Sequence, residues 1–278
     1  MKFKEKGVHF QGHRGARGLL PENTIESCIR AIECGVDGLE IDIVVSEDKQ
    51  IVVSHEPWMT DLCNFPDGKP VNGPFTEGVR LLKMPYQAIR EFDCGSRGNA
   101  RFPTQMPMKT YKPTLSELVE KVLGYCLEKN IKPPFFNIEI KSQPSWDDIF
   151  VPLPAAFVAL LKENLGTFPD AFEFYVSSFD PRILREVKRQ MPNVLVAFLT
   201  EKPWGLKWHV QKLGFKPDIF SPYFKFVFNR TVRLANSQGI KIVTWTVNDE
   251  TACTRLIRKG VSGIITDFPN AFNSTLSL

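Results

Sequence analysis

Glu40 and Asp42 stand two apart in the run Gly-Leu-Glu-Ile-Asp-Ile-Val-Val, residues 38–45, and His55 follows a second apolar run, Ile51-Val52-Val53, after a short polar turn. Such alternation specifies a strand, in which side chains two apart share a face. Both carboxylates therefore point one way, while Leu39, Ile41 and Ile43 point the other. Buried carboxylates about 7 Å apart along a strand repel each other unless a cation lies between them. A metal ion meets that need, with the His55 imidazole at the rim of the same site. A solvated edge strand has the same alternation, so other segments must decide.

Two of them supply partners. In Phe-Phe-Asn-Ile-Glu-Ile-Lys, residues 135–141, Asn137, Glu139 and Lys141 share one face; Gln11 and His13 share another, followed by Arg14 in a glycine-bracketed loop. Glu40, Asp42 and Glu139 together make a hard oxygen site for one divalent cation, Mg²⁺ or Ca²⁺, both of which accept carboxylate and water oxygens. Arg14 and Lys141 beside such an ion suit a phosphoryl group. His13 and His55 could then serve a phosphodiester, one imidazole deprotonating the attacking oxygen and the other protonating the departing one. Taken singly, the histidines read as strand-end hydrogen-bonding groups, Lys141 as a counter-ion for Glu139, and Trp245 and Asp267 as structural residues. Together they converge, and Trp245 joins Arg14 and Lys141 as a substrate-binding residue.

The elements that must position these groups alternate. Strands are expected at 8–11, 38–45, 135–141, 172–178, 194–199, 218–221, 241–247 and 263–266, with helical segments at 115–126, 155–162, 181–189, 230–236 and 250–258 between them. A further helix follows Pro21-Glu22-Asn23-Thr24, with Asn23 as its cap and Glu26 as the reciprocal partner. Gly35-Val36-Asp37-Gly38-Leu39 and Gly260-Val261-Ser262-Gly263-Ile264 repeat one helix-to-strand junction. Eight parallel strand and helix units close into a (β/α)8 TIM barrel, whose active sites are built at the carboxyl ends of the strands. The expected organisation is a single catalytic domain over residues 1–278. The rhythm breaks at 57–112, rich in Pro, Gly and Asn, which reads as an insertion after the second strand, capping the barrel mouth, with a short helix at 87–92. Its aromatics Trp58, Phe65, Phe75, Tyr86, Phe102 and Tyr111 read as a small satellite core rather than a substrate wall.

Composition bounds the partners. Hydrophobic residues at 43% and charged residues at 24% are ordinary for a globular protein. The net charge of +4, without a long basic run, gives no footprint for nucleic acid and suits a small anionic substrate. The six cysteines show no Cys-x-x-Cys spacing, which argues against zinc and a disulfide framework and for mostly reduced core thiols. Met1 to Gly7 is polar and basic with no apolar segment behind it, so neither a signal peptide nor an integral membrane segment is expected.

The ordered set His13-Arg14-Gly15, Pro21 to Thr24, Glu40-Ile41-Asp42, His55, Glu139-Ile140-Lys141, Trp245 to Asn248 and Thr266-Asp267 resembles the glycerophosphodiester phosphodiesterase family over nearly the whole chain. The resemblance implies a (β/α)8 barrel with an insertion after the second strand. It implies a divalent metal on Glu40, Asp42 and Glu139, acid and base roles for His13 and His55, and sn-glycerol 3-phosphate and an alcohol as products. Many relatives carry Asp after the second histidine, where this chain has Glu56, which puts the orientation of His55 in question. Related barrels acting as phospholipases C or D are the nearest alternative. A Schiff-base aldolase using Lys141 is disfavoured because flanking acids would keep its amine protonated. A barrel that only binds phosphate esters would not need both histidines.

Overall fold

A computed structural model describes residues 7–72, 79–169 and 172–272. In chain order the elements are β1 (His9–His13), α1 (Ile25–Glu33), β2 (Gly38–Val45), β3 (Ile51–Val53), α2 (Tyr86–Arg90), α3 (Leu115–Glu128), β4 (Phe135–Ile140), α4 (Pro154–Leu165) and β5 (Phe174–Ser178). They continue as α5 (Pro181–Gln190), β6 (Val196–Thr200), α6 (Leu206–Leu213), β7 (Ile219–Pro222), α7 (Asn229–Ser237), β8 (Lys241–Thr244), α8 (Glu250–Lys259) and β9 (Gly263–Thr266). Parallel pairing runs β1-β9-β8-β7-β6-β5-β4-β2, and β1 also pairs with β2, so the sheet closes as a TIM barrel. The eight parallel strands match those expected, with ends shifted by a few residues.

Helix starts follow local chemistry. Thr114, Asp180 and Asp249 each accept a backbone hydrogen bond in the first turn of α3, α5 and α8, and Pro181 opens α5. Gly214 and Gly260 end α6 and α8 in the left-handed conformation that a Cβ disfavours. The buried apolar faces of these helices pack on the outward faces of the strands in two clusters, one around Ile41, Ile138 and Val176, the other around Phe220, Ile242 and Ile264. Inside the barrel, Tyr175, Ala197, Ile219, Val243 and Ile265 form an apolar plug. Beside it Gln11, Asn137, Ser177 and Tyr175 satisfy one another, with bonds of 2.7 to 3.1 Å, as buried polar groups require.

Several expectations change. Thr24, not Asn23, caps α1, its Oγ1 accepting from the Ser27 amide at 3.1 Å, and Glu26 instead accepts from Thr110 at 3.2 Å. Asn23 has φ +57° and turns its side chain toward β2. The run after β2 is a strand, β3, pairing antiparallel with β2 through a tight turn. Helix α6 was not expected, because its Trp, His and Val weaken helix propensity and its Gly205 cap supplies no side-chain signal. Cys63 and Cys94 form a disulfide, whereas Cys28, Cys34, Cys126 and Cys253 are buried free thiols as expected. The bridged pair lies 31 residues apart, and only tertiary folding brings it together.

Within 57–112, Met59, Val71, Leu81, Ile89 and Phe92 pack with Val44 of β2 and Val52 of β3, and Trp58, Phe65 and Tyr86 lie against them as a satellite core. Phe102 instead packs on Arg17 and Phe268, and Tyr111 bonds Glu117. Phe75 lies outside the described residues. The short helix starts at Tyr86, one residue before the expected position.

Gly12, next to His13, has no room for a side chain: a Cβ there would sit 2.4 Å from the Gly15 carbonyl oxygen and 2.8 Å from the Ala31 Cβ. Replacing Gly12 with Ala should therefore destabilise by about 1–3 kcal/mol, the cost of overpacking, read as a fall of several degrees in Tm. An unchanged Tm would mean the loop and α1 withdraw freely.

Candidate active site

Strand register assembles the acids. His13 lies opposite Glu40 across β1 and β2, and Asp42 lies opposite Glu139 across β2 and β4. All three acids point into the carboxyl end of the barrel, where their oxygens come within 4.8 Å of one another and are buried. Burial, then the neighbouring Asp42 and Glu139, raise the Glu40 pKa well above the usual carboxylate range. Asp42 moves the other way: burial opposes its ionisation, but His55, Arg14 and Lys141 nearby hold it below that range. Glu40 Oε2 accepts the Arg14 amide at 3.0 Å, while Oε1 is buried with no hydrogen-bond partner. An orphaned carboxylate oxygen within an acidic triad fits a hard divalent cation. Charge agrees. The carboxyl groups of Glu22, Glu40, Asp42, Glu56, Glu139 and Asp267 outnumber the cations Arg14, Arg17, Lys112 and Lys141 by two, the charge of one such ion.

The cations bind the acids without capping the triad. Lys141 Nζ lies 2.6 Å from Glu139 Oε1 and 3.5 Å from Asp42 Oδ1. Burial lowers its pKa, but Glu139 and Asp42 outweigh that and leave it raised. A protonated Lys141 is no Schiff-base nucleophile. Arg14 takes the left-handed conformation at φ +52°, which costs a residue with a Cβ about 1 kcal/mol; its amide bond to Glu40 and its bond to Glu22, at 2.6 Å, hold it there.

Each histidine is held by a carboxylate. His13 Nδ1 lies 2.6 Å from Asp267 Oδ1, and Asp267 is fixed in turn by Arg17 Nε at 2.5 Å and Asn248 Nδ2 at 2.7 Å. Since Asp267 only accepts, the proton sits on Nδ1 and the Nε2 lone pair is free. Burial and then Arg17 lower the His13 pKa to about 4, despite Asp267, so the ring is neutral at pH 7. The antiparallel return of β3 along β2 delivers His55, because the Ser54 amide just after β3 donates to the Asp42 carbonyl at 2.9 Å. His55 Nδ1 then lies 2.5 Å from Glu56 Oε1, so the longer acid still reaches the ring. His13, Arg14, Glu40, His55, Glu139, Lys141 and Trp245 line one cavity of about 720 Å³, with Asp42 bridging Arg14 and Lys141. Trp245 is not core: it forms the cavity wall with Phe179 and Tyr223, its Nε1 donating to the Ser221 carbonyl at 3.0 Å. Asp267 is likewise more than structural, since it orients His13.

Sequence reasoning missed Asn23, Glu22, Arg17, Lys112 and Asn248. Asn23 donates to Asp42 Oδ2 at 2.9 Å and accepts the Asp42 amide at 3.3 Å, fixing that carboxylate. Its signal was present in Pro21-Glu22-Asn23-Thr24 but reads equally as a helix cap. Lys112 donates to Ser54 at 2.8 Å, bracing the segment just after β3 that carries His55.

A TIM barrel with a buried carboxylate triad, two carboxylate-held imidazoles and flanking cations at its mouth is the scaffold of a phosphoric diester hydrolase. Residues 13–271 match the model of the glycerophosphoryl diester phosphodiesterase family, and the chain belongs to that family. The glycerophosphodiester phosphodiesterase of Caldanaerobacter subterraneus subsp. tengcongensis is 28% identical over 257 residues, covering 92% of this chain and 93% of that protein. The crystal structure of a candidate glycerophosphoryl diester phosphodiesterase from Silicibacter pomeroyi superposes with a TM-score of 0.84 at 28% identity, covering 99% of this chain and 94% of that one. An Oleispira antarctica phosphodiesterase, solved with the product sn-glycerol-3-phosphate, shares the fold at a TM-score of 0.76 and 21% identity, covering 97% of each chain.

The lowered His13 pKa has a thermodynamic signature. Between its ordinary value of 6.5 and about 4 the unfolded chain takes up a proton that the folded one refuses, so this contribution is complete above pH 6.5 and is lost as pH falls toward 4. The loss is about 3 kcal/mol. In metal-free buffer His13→Gln should flatten the stability profile over this window, and ¹⁵N NMR of the parent should show a neutral Nδ1–H ring at pH 6. A protonated ring at that pH would contradict this account.

Proposed function

We propose that this cavity hydrolyses glycerophosphodiesters to sn-glycerol 3-phosphate and an alcohol by acid and base catalysis from His13 and His55. The orphaned Glu40 oxygen beside a neutral, Asp267-held His13 carries the reading. The chain is a phosphoric diester hydrolase by family, and its residues support each step. Glu40, Asp42 and Glu139 would hold one Mg²⁺ or Ca²⁺, which when bound neutralises negative charge on the phosphoryl group. Arg14 and Lys141 bind the remaining phosphoryl oxygens.

His13 Nε2 takes the proton of the glycerol 2-hydroxyl as that oxygen attacks phosphorus, and Asp267 stabilises the imidazolium formed. Attack by a tethered hydroxyl has a large proximity advantage. His55, held through Nδ1 by Glu56, gives a proton to the departing alcohol oxygen. A cyclic 1,2-phosphate results. In the second half the roles reverse: His55 takes a proton from water as it attacks phosphorus, and His13 returns its proton to O2, releasing sn-glycerol 3-phosphate.

Residues 57–112 act in this reading as a cap inserted into the one catalytic domain and set the choice of alcohol. Arg101 lines the cavity and Gln105 donates to the Arg17 carbonyl at 2.6 Å, which supports a place at the mouth.

The metal assignment is tested by chelation: EDTA should abolish turnover, and Mg²⁺ or Ca²⁺ should restore it. Asn23→Ala should weaken ion binding by about 10- to 100-fold in calorimetric titration, because it frees the Asp42 carboxylate. Full turnover in ion-free buffer would defeat the assignment.

Replacing either histidine with Gln should lower kcat about 10²- to 10⁴-fold with little change in substrate binding. On a diester with a nitrophenolate leaving group the His55 variant should recover much of its rate, since that group departs without protonation, while the His13 variant stays slow. The reverse pattern would exchange the two roles, and near-parental rates in both variants would end the two-histidine mechanism.

A further inference from the structure

The rim that follows β6 and β7 is chemically unlike the rest of the surface. Trp204, Trp208 and Phe228 are 49%, 39% and 49% exposed. The two indoles lie tilted against each other with ring centroids 4.2 Å apart, and Trp208 and Phe228 line one shallow surface cavity between α6 and α7. Lysines ring them, Lys202 over the Trp204 ring at 6.0 Å and Lys212 over Trp208 at 5.3 Å. Between Glu201 and Asp249 the chain carries eight lysines and arginines against a single acid, Asp218, which is paired with Lys188. The whole chain's net charge is only +4, so this stretch is basic by comparison, with Lys216 and Lys241 standing at the amino ends of β7 and β8 away from the rim.

Large aromatics half out of water cost free energy unless something covers them. Tryptophan beside lysine is the pairing found at membrane interfaces, where the amphipathic ring sits at headgroup depth and the ammonium meets anionic headgroups. The other large apolar side chains exposed among the described residues include no tryptophan: Met106, Leu127, Ile131, Ile149 and Leu153 are not aromatic, and Phe179 lines the catalytic cavity. No helix among the described residues is long and apolar enough to cross a membrane, so contact here would be peripheral.

We propose that Trp204, Trp208 and Phe228, with Lys202, Lys207 and Lys212 around them, adsorb to the surface of an anionic phospholipid bilayer. The placement suits the active site. Trp204 comes three residues after Glu201 and Phe228 five after Tyr223, and both Glu201 and Tyr223 line the catalytic cavity. Adsorption through this edge therefore sets the barrel mouth beside the bilayer. The inference does not depend on the proposed reaction, because none of these six side chains belongs to the catalytic cavity.

The test uses the full chain, co-sedimented with vesicles of phosphatidylcholine alone or mixed with phosphatidylserine, with tryptophan emission followed in parallel. Binding and a blue shift are expected only with phosphatidylserine present. Lys202→Gln and Lys207→Gln should each weaken binding about fivefold, the worth of one basic group near an anionic surface. Trp204→Ala and Phe228→Ala should weaken it further, and Trp204→Ala should also reduce the blue shift. Turnover of a water-soluble glycerophosphodiester should be unchanged in all four variants, which separates this inference from the reaction mechanism. Failure to bind the anionic vesicles, or binding that survives lysine replacement, overturns the proposal. Binding that follows the lysines but ignores Trp204 and Phe228 also overturns it, and would point to a soluble polyanion such as nucleic acid.

Discussion

Mutual repulsion among Glu40, Asp42 and Glu139 is the constraint around which the mouth of this barrel is arranged. Three carboxylates within 4.8 Å of one another cannot all ionise in a buried site without compensation. The chain supplies part of that compensation from three directions. Lys141 is the residue that follows β4, Arg14 comes from the loop after β1, and Asn23 is the residue before the cap of α1. Protein alone leaves Glu40 short, with one oxygen unpartnered and its pKa raised. That deficit is compatible with a divalent ion among the three carboxylates.

The polar layer beneath the mouth extends the same logic inward. Gln11, Asn137, Ser177 and Tyr175 close a hydrogen-bonded set within the barrel, above and beside a small apolar plug. Such networks are worth having only when fully satisfied. Here they fix the parity of β1, β4 and β5, and thereby which side chains of those strands face the mouth.

The fold was largely legible because period-two alternation and glycine junctions are local signals, and the eight strands lie where those signals place them. The triad and His13 were legible for the same reason, since parity along β1, β2 and β4 assigns a shared face before any packing is known, and His55 was legible from its place just past the second apolar run. What was hidden depends on contacts distant in sequence. Asp267 reads as an acid at a strand end, yet its partner is 254 residues away. Asn23 carries an ordinary capping residue type but spends its amide on Asp42, and Thr24 does the capping. The Cys63–Cys94 bridge has no spacing signature, and α6 lacks a polar cap.

The pairing of His13 with Asp267 joins the first strand to the residue after the last. The imidazole that opens the chain thus remains without its orienting carboxylate until the seam between β1 and β9 has closed. During synthesis the three acids of the cluster are all present once residue 139 has emerged, but the carboxylate that orients His13 is not. The acidic cluster and the oriented imidazole are therefore completed at different points along the chain, the second only by the residue that follows the final strand.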